Sequence, residues 1–504
     1  MTLNRPIQPT GLLSNNPPPL RVAIVHYHLK RGGVTRVIES TLDGFKTLAG
    51  PHKCVVLAGE VPNTFDTAIC AREVEGLQYS NAQSGTPACH ELLERIRAAA
   101  KEALGGDPDI WHIHNHSLGK NCAMPGVVSS LAESGASILL HMHDFAEDGR
   151  PQNYRINQER ASYASALYPD MGSVHYGVLN ARDHDILTQA GFAQERLHLL
   201  ANPVEVKTPK QSAEPKQLLE TLGAERLFLY PVRAVRRKNF GEMLLWSALA
   251  KDGDAFATTL GPTNQNYYAA YKRWQSFAKQ HKLPVHFGIG EQYDWSFETI
   301  MESAHAILST SIAEGFGLAY LEPWLFGKAI IGRNLPDITA DFTANAIELN
   351  GLYDSLPIPF EWIQMDTLRS ALHEGLSAAY TAYERPLPDN AVERALSAIT
   401  PKPGHFDFAG LNESLQETVI ERVIEDPQAS SALPTLKAAE SDTSIRANAE
   451  RIGILYSQAQ YAENLTEIYK SICNSDRAAT TQYTDPTEVL DGFLQPERFR
   501  LLRT

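Results

Sequence analysis

The chain has 504 residues, 43% of them apolar and 21% charged, with a formal net charge of −14 at pH 7. Its length exceeds what one hydrophobic core organises, so at least two domains are expected, with the composition of an ordinary soluble globular protein. The negative balance argues against a nucleic-acid surface, no stretch is long and apolar enough to span a bilayer, and the five cysteines show neither metal-ligand spacing nor a disulfide framework.

Residues 1–20 are polar and proline-rich, without the apolar core of a secretion signal, and read as a flexible segment of a cytoplasmic protein. From residue 21 strand-like and helix-like runs alternate. Strands are expected over 22–27, 53–58, 110–114, 137–142, 174–179 and 197–200, with helices such as 34–48, 90–104 and 182–190 between them. That alternation specifies a parallel sheet covered by helices on both faces, here a first domain over 21–205. After the first strand, Gly32-Gly33 opens a helix where backbone amides and the helix dipole can meet an anion. The three-glycine dinucleotide fingerprint is absent, so a nicotinamide cofactor is not expected. His112, His114 and His116 end the third strand, and His141 with His143-Asp144 ends the fourth. Together they raise a metal site, but the helical HExxH pattern is missing and alternate strand residues face opposite sides of a sheet, so the rings need not converge. No metal is expected, and His112 reads as a core residue. Arg182 follows the fifth strand, within reach of an acceptor or a phosphate, and Asn202-Pro203 closes the domain.

A polar, lysine- and proline-containing stretch then runs to about residue 220 and reads as a linker. The second alternating series, a domain over 206–400, has strands expected over 227–230, 257–260, 285–288, 305–309 and 329–331, with helices over 240–250, 267–280 and 295–303. Two such units in tandem suit a ligand bound between them. Arg233-Ala234-Val235-Arg236-Arg237-Lys238 is the densest cation cluster beside a strand end. The planar fork of Arg233 and the point charge of Lys238 can neutralise a diphosphate without metal, while Arg236 and Arg237 read as a solvated face.

Glu314-Gly315-Phe316-Gly317-Leu318-Ala319-Tyr320-Leu321-Glu322 follows the strand over 305–309. The gap between its carboxylates is uninformative alone, since Glu94 and Glu102, Glu413 and Glu421, and Glu417 and Glu425 share it within amphipathic helices. The context distinguishes it: a buried strand before, two glycines in the turn and a helix after place the loop where doubly wound sheets bind ligands. A helix starting near Leu318 would carry Pro323 past its tolerant first turn, kinking it and loosening the placement of Glu322. Beyond residue 400 helical runs over 411–425 and 445–472 form an extension to 474, and residues 475–504 read as a weakly structured tail.

The Glu314 to Glu322 run resembles the two-glutamate motif, with its EGFGL core, of retaining glycosyltransferases of family 4, which includes sucrose-phosphate synthase-like and mannosyltransferase-like enzymes. The resemblance implies the α/β GT-B fold: two Rossmann-like doubly wound domains facing a central cleft, with a C-terminal helix, matched by residues 461–469, crossing back to the first domain. It implies that Glu314 binds donor-sugar hydroxyls, Glu322 the ribose, the backbone of Phe316, Gly317 and Leu318 the sugar and phosphate, and Arg233 and Lys238 the diphosphate. Gly33 would face the donor phosphate and His143 the sugar's primary hydroxyl, with Gly32, His114, His116, Asp144 and Arg182 on the acceptor side. The implied reaction moves a hexose from a nucleotide-diphosphate sugar to an acceptor hydroxyl, with retention by front-face attack and no metal or cofactor, and the soluble composition without a basic amphipathic membrane helix favours a small polar acceptor over a lipid. A sugar phosphorylase, a nucleotide-sugar epimerase and a non-catalytic nucleotide-sugar binding protein are the alternatives on the same fold. Nucleobase, donor sugar and acceptor stay open.

Overall fold

The computed structural model describes residues 19–50, 52–66, 69–80, 88–159, 164–205, 214–436, 440–475 and 482–503. Strands β1 (Arg21–His26), β2 (Lys53–Ala58), β3 (Ala71–Glu73), β4 (Ile110–His114), β5 (Ile138–Met142), β6 (Val174–Val178) and β7 (Leu197–Leu199) form a parallel sheet in the order β3-β2-β1-β4-β5-β6-β7. Alternate residues of β1 feed two cores. Ala23 and Val25 pack with helix Cys89–Leu104, and Val22 and Ile24 with helix Gly33–Lys46, which is why the strand is apolar on both faces.

A second sheet contains β8 (Arg226–Arg233), β9 (Asp254–Leu260), β10 (Val285–His286), β11 (Ala306–Ser309), β12 (Ile330–Arg333) and β13 (Leu352–Tyr353). It is also parallel, in the order β10-β9-β8-β11-β12-β13. Strand order reverses between β1 and β4 in the first lobe and between β8 and β11 in the second. Ligands of doubly wound sheets sit outside the carboxyl ends of the strands at such reversals. The Gly32-Gly33 turn follows β1, the Arg233 to Lys238 cluster follows β8, and the Glu314 loop follows β11, so topology alone brings these motifs to the two reversal points.

Several sequence expectations change. The stretch up to residue 220 is not all linker, because helix Glu214–Leu222 buries Leu218 and Leu222 against Leu227, Leu229 and Ala255; residues 206–213, with the expected domain boundary, lie outside the described residues. The second lobe's core continues past residue 400, where Phe406, Phe408 and Leu411, and Leu415, Val419 and Ile420 of helix Glu413–Glu425, join Phe240 and Leu244. The run over 445–472 is two helices, Asp442–Leu455 and Gln458–Asn474, broken where the Ser457 side chain caps the second by accepting from the Gln460 amide. The first places Ile452 beside Tyr320 and Trp324. The second crosses to the first lobe, where Tyr461, Leu465 and Tyr469 meet Val22 and Ile24.

Residues 482–503 are the largest correction to the expected tail, of which 476–481 and 504 lie outside the described residues. Tyr483–Thr484 pairs antiparallel with Tyr168–Pro169, helix Pro486–Phe493 buries Val489, Leu490 and Phe493 against the first lobe, and the turns Pro496–Arg498 and Leu501–Arg503 lead back to the second, whose core Leu501 enters. The segment is ordered by apolar anchors shared between two lobes, with too short a periodic stretch to stand out in the sequence. Among the described residues no helix is long and apolar enough to cross a membrane.

Candidate active site

Because β8 and β11 are neighbours, the turns that follow them meet although Lys238 and Glu314 are 76 residues apart. Lys238 Nζ donates to Glu314 Oε1, and Arg237 Nη1 donates to Glu314 Oε2 at 3.0 Å. The Lys238 and Glu314 side chains are each 10% exposed. Burial alone would raise the carboxyl, but Lys238 and Arg237 outweigh it and hold Glu314 at about 2. Burial also pushes Lys238 below the usual lysine range, against the pull of Glu314. The lysine backbone is pinned by the Tyr230 and Thr310 hydroxyls, each donating to its carbonyl at 3.0 Å.

Arg237, expected on a solvated face, is held instead by Glu314 and by the Ala313 carbonyl at 2.6 Å, and Arg236 pairs with Glu413 at 2.7 Å. Arg233 ends β8 exposed, and its guanidinium has no hydrogen-bond or ion-pair partner among the described residues. In the Glu314 loop, Gly317 has φ +92°, and a Cβ there would lie 2.7 Å from Ile338, so backbone and packing both demand glycine. The Phe316 ring is buried against Phe342 and Tyr456 and anchors the loop. Leu318–Tyr320 is a 3₁₀ turn and Glu322–Leu325 a single α-turn that has Pro323 at its start, where a missing N–H costs nothing. The expected kink does not arise, and the dipole expected behind the loop shrinks to that of one short turn.

In the first lobe the histidines converge, contrary to expectation. His114 Nδ1 is 2.8 Å from His143 Nε2, His112 Nε2 is 3.2 Å from His141 Nδ1, and His112 Nδ1 is 2.8 Å from the Tyr469 hydroxyl. Alternation separates odd from even positions, but His112 and His114 have the same parity on β4, as do His141 and His143 at β5, so all four share one face. Burial pushes all four down, His112 to about 3, and they stay neutral at neutral pH. One ring nitrogen each of His112, His114 and His141 lies within 4.8 Å of the others, close enough to hold a metal ion, although both His112 nitrogens already face Tyr469 and His141. His116 stands apart, its Nε2 2.8 Å from the Leu167 carbonyl.

Asn115, which no sequence feature singles out, ties the strand ends together. At φ +55° its Oδ1 accepts from the amides of His143 at 2.7 Å and Asp144 at 3.2 Å, and its carbonyl accepts from the Tyr27 hydroxyl at 2.8 Å. The Asp144 carboxylate pairs with Arg150. Gly32 caps helix Gly33–Lys46 in extended conformation, and a Cβ on Gly33 would meet nothing within 4 Å, so that helix start is uncovered.

The two halves face each other. Asn180, which caps helix Ala181–Gln189, donates to the Gly315 carbonyl at 2.7 Å, and a Cβ on Gly315 would lie 3.7 Å from the His143 carbonyl. Arg36 donates to Glu322 at 3.2 Å, so the residue implied for ribose is held from the opposite lobe. Asn180 could be read from the sequence as a helix cap, through its pairing with Asp183, but nothing marked it as a cleft contact. Beside the Glu314 loop opens a cavity of about 680 Å³ lined from both lobes. Arg182 lines it, 9% exposed, with Asp183 at 2.6 Å and Asp148 at 3.6 Å.

No family model matches the chain. In sequence it is 27% identical over 343 residues to a mannosylglucosyl-3-phosphoglycerate synthase of Petrotoga mobilis, covering 63% of this chain and 66%, just under two thirds, of that relative's length. In fold it is similar to sucrose-phosphate synthase of Thermosynechococcus elongatus, with TM-score 0.54 and 14% identity over 90% of this chain and 99% of that one. HepE of Anabaena, crystallised with UDP and glucose, gives TM-score 0.51 and 14% identity over 90% and 100% of the respective chains. Two doubly wound lobes with a helical C-terminal region are the GT-B fold of glycosyltransferases, and this chain has it.

Proposed function

We propose that this protein is a retaining, metal-independent hexosyltransferase of family 4, moving a sugar from a nucleotide-diphosphate donor to a hydroxyl of a small polar acceptor in the cytoplasm. One observation carries the reading: the Lys238–Glu314 pair sits beside the Gly317 turn at the β8/β11 reversal, with the His143 strand end opposite it across the cleft. Breaking the bond between the anomeric carbon and the diphosphate throws negative charge onto the leaving group. Lys238, the free guanidinium of Arg233 and the amides of Gly317 and Leu318 are the groups assigned to receive it. No carboxylate stands out as a nucleophile, so retention is assigned to front-face attack, the leaving phosphate oxygen taking the acceptor's proton. Glu314 and His143 hold the sugar and Glu322 the ribose once Arg36 releases it. The Petrotoga relative is named for making mannosylglucosyl-3-phosphoglycerate, and HepE was crystallised with UDP-glucose, which supports a nucleotide-sugar donor.

Thermal shift over UDP-, GDP- and ADP-sugars tests the donor, since a ligand that binds only the folded chain raises its melting temperature. Release of nucleoside diphosphate with an acceptor panel, with and without EDTA, then tests turnover. Glu314→Ala and Lys238→Ala are each expected to lower turnover about 100-fold or more, and EDTA to leave it unchanged. Donor binding without turnover over the panel would favour a binding protein. Turnover that requires inorganic phosphate in place of nucleotide would favour a phosphorylase.

A further inference from the structure

We propose that the C-terminal segment 482–503 completes a phosphate site in the interlobe cavity, formed by Arg182, Arg500 and Arg503, and that it holds a phosphomonoester on the acceptor. The acceptor part rests on the glycosyltransferase reading above; the anion site does not. In a chain of net charge −14, residues 497–503 contain three arginines, and all three line the cavity that Glu314 also lines.

Their partners decide which are available. Arg498 is taken by Asp337 at 3.3 Å, and the nearby Arg333 by Glu242 at 2.7 Å and Asp407 at 2.8 Å. Arg503 donates to Asp148 at 2.6 Å, and Arg182 reaches the same carboxylate at 3.6 Å as well as Asp183 at 2.6 Å. Arg500 donates only to the carbonyls of Glu497 and Phe499, each at 2.8 Å, and no carboxylate of the described residues lies within ion-pair distance. Three guanidiniums therefore share two carboxylates. Burial, with Arg333 and Arg503 nearby, pushes Arg500 below the usual arginine range against the pull of Asp407 and Asp337, carboxylates that Arg333 and Arg498 already hold, so this guanidinium lacks a counter-ion of its own. A dianion supplies it, and planar forks converging from several sides match the oxygens of a phosphate.

The placement is rigid. Arg500 lies between Phe499, whose ring fills the space beside Gly375 so closely that a Cβ there would come within 2.7 Å of it, and Leu501, buried in the second lobe's core. Arg182 comes from the first lobe, so the site spans the cleft.

The test uses the full chain saturated with nucleoside diphosphate, which fills the Lys238 side, and titrates glycerol 3-phosphate, glycerol and inorganic phosphate by calorimetry. Glycerol 3-phosphate is expected to bind and glycerol not. Arg500→Gln and Arg503→Gln are each expected to weaken the phosphoester about tenfold or more, with nucleoside diphosphate affinity unchanged, and Arg500→Lys to recover part of the loss. Failure of the wild type to bind the phosphoester while nucleotide binds, or equal affinity in Arg500→Gln, would overturn the site. Inorganic phosphate that binds as tightly and is consumed with a sugar substrate would overturn the acceptor assignment. If no nucleotide binds, the donor reading fails, and the same titration on the unliganded chain still decides the anion site.

Discussion

Removing Lys238 isolates the interaction on which the candidate site is built. The Glu314 carboxyl falls from its ordinary 4.5 to about 2, which at about 1.4 kcal/mol per tenfold corresponds to about 3 kcal/mol in favour of the ionised form in the folded chain. Lys238→Met leaves that buried carboxylate with Arg237 alone and is expected to cost about 2–3 kcal/mol, at or below the low end for breaking a buried pair because one cation remains. Glu314→Gln is expected to cost a similar amount, since Lys238 is then buried without a counter-ion. The double variant removes both charges, so its cost should fall short of the sum by about 2 kcal/mol. Five of the six tryptophans, from Trp246 to Trp362, lie in the second lobe, so urea titration followed by fluorescence reports on that lobe. Costs that add to within about 0.5 kcal/mol would refute the pair as an energetic unit. The pH dependence has a definite sign: a depressed carboxyl stabilises fully above 4.5 and loses that contribution as pH falls from 4.5 towards 2, and Lys238→Met should move the loss to higher pH.

Leu490 is fully buried between Tyr154, Tyr383 and Ala146, so Leu490→Ala is expected to cost about 2–4 kcal/mol by denaturant titration, whereas an unchanged midpoint would return residues 482–503 to a loose tail. Burial lowers His26 and His112 to about 3, below their unfolded value of 6.5, so stability is full above pH 6.5 and declines below it, by about 2 kcal/mol for each of the two at pH 5. His114, His141 and His143 add to the same direction, and a melting temperature that stays flat between pH 7.5 and 5 would contradict it. The Arg36–Glu322 pair is half exposed on the arginine side, so Arg36→Ala should change stability by less than about 1 kcal/mol while tightening donor binding measured by calorimetry; weaker binding would place Arg36 on the donor instead.

Strands and helices were legible because the buried strands are short apolar runs closed by glycine, proline or polar residues, and their alternation with helices implied two parallel sheets, whereas the strand order came from the structure. The meeting of Lys238 and Glu314 was not visible as spacing. It follows from β8 and β11 being neighbours, which only the motif resemblance anticipated. Arg236 and Arg237 were indistinguishable as adjacent cations, but they sit in a 3₁₀ turn where successive side chains point about 120° apart, so one faces Glu413 and the other Glu314. The histidines were separated by an argument about alternation that applies to odd against even positions, and these four share parity on neighbouring strands. Asn115 acts through a positive φ, and Arg36 and Asn180 through contacts with the opposite lobe, none of which local sequence encodes.

The C-terminal segment also sets limits on how the cleft works. Among the described residues, the chain is in the first lobe up to Glu205 and in the second from Glu214, returns at Tyr456-Ser457, and crosses again after Phe493. The last passage is anchored by Phe493 on one lobe and Leu501 on the other, and a chain of that length reaches at most about 28 Å when fully extended. Opening is therefore bounded by a tether. Direct polar contacts join the lobes at several places: Asn180 to Gly315 at 2.7 Å, Ala181 to Asp341 at 2.8 Å, the Tyr383 hydroxyl accepting from the Arg150 amide at 2.6 Å and donating to the Ala146 carbonyl at 3.0 Å, Arg503 to Asp148 at 2.6 Å, Arg385 to Asp491 at 3.0 Å, and the exposed Arg36–Glu322 pair. On the proposed reading, a phosphate bridging Arg182 and Arg500 gains its full set of contacts only when the lobes are shut, so it draws the equilibrium towards closure. The acceptor's charge would then complete the site and expel water together, keeping donor hydrolysis low until an acceptor is in place.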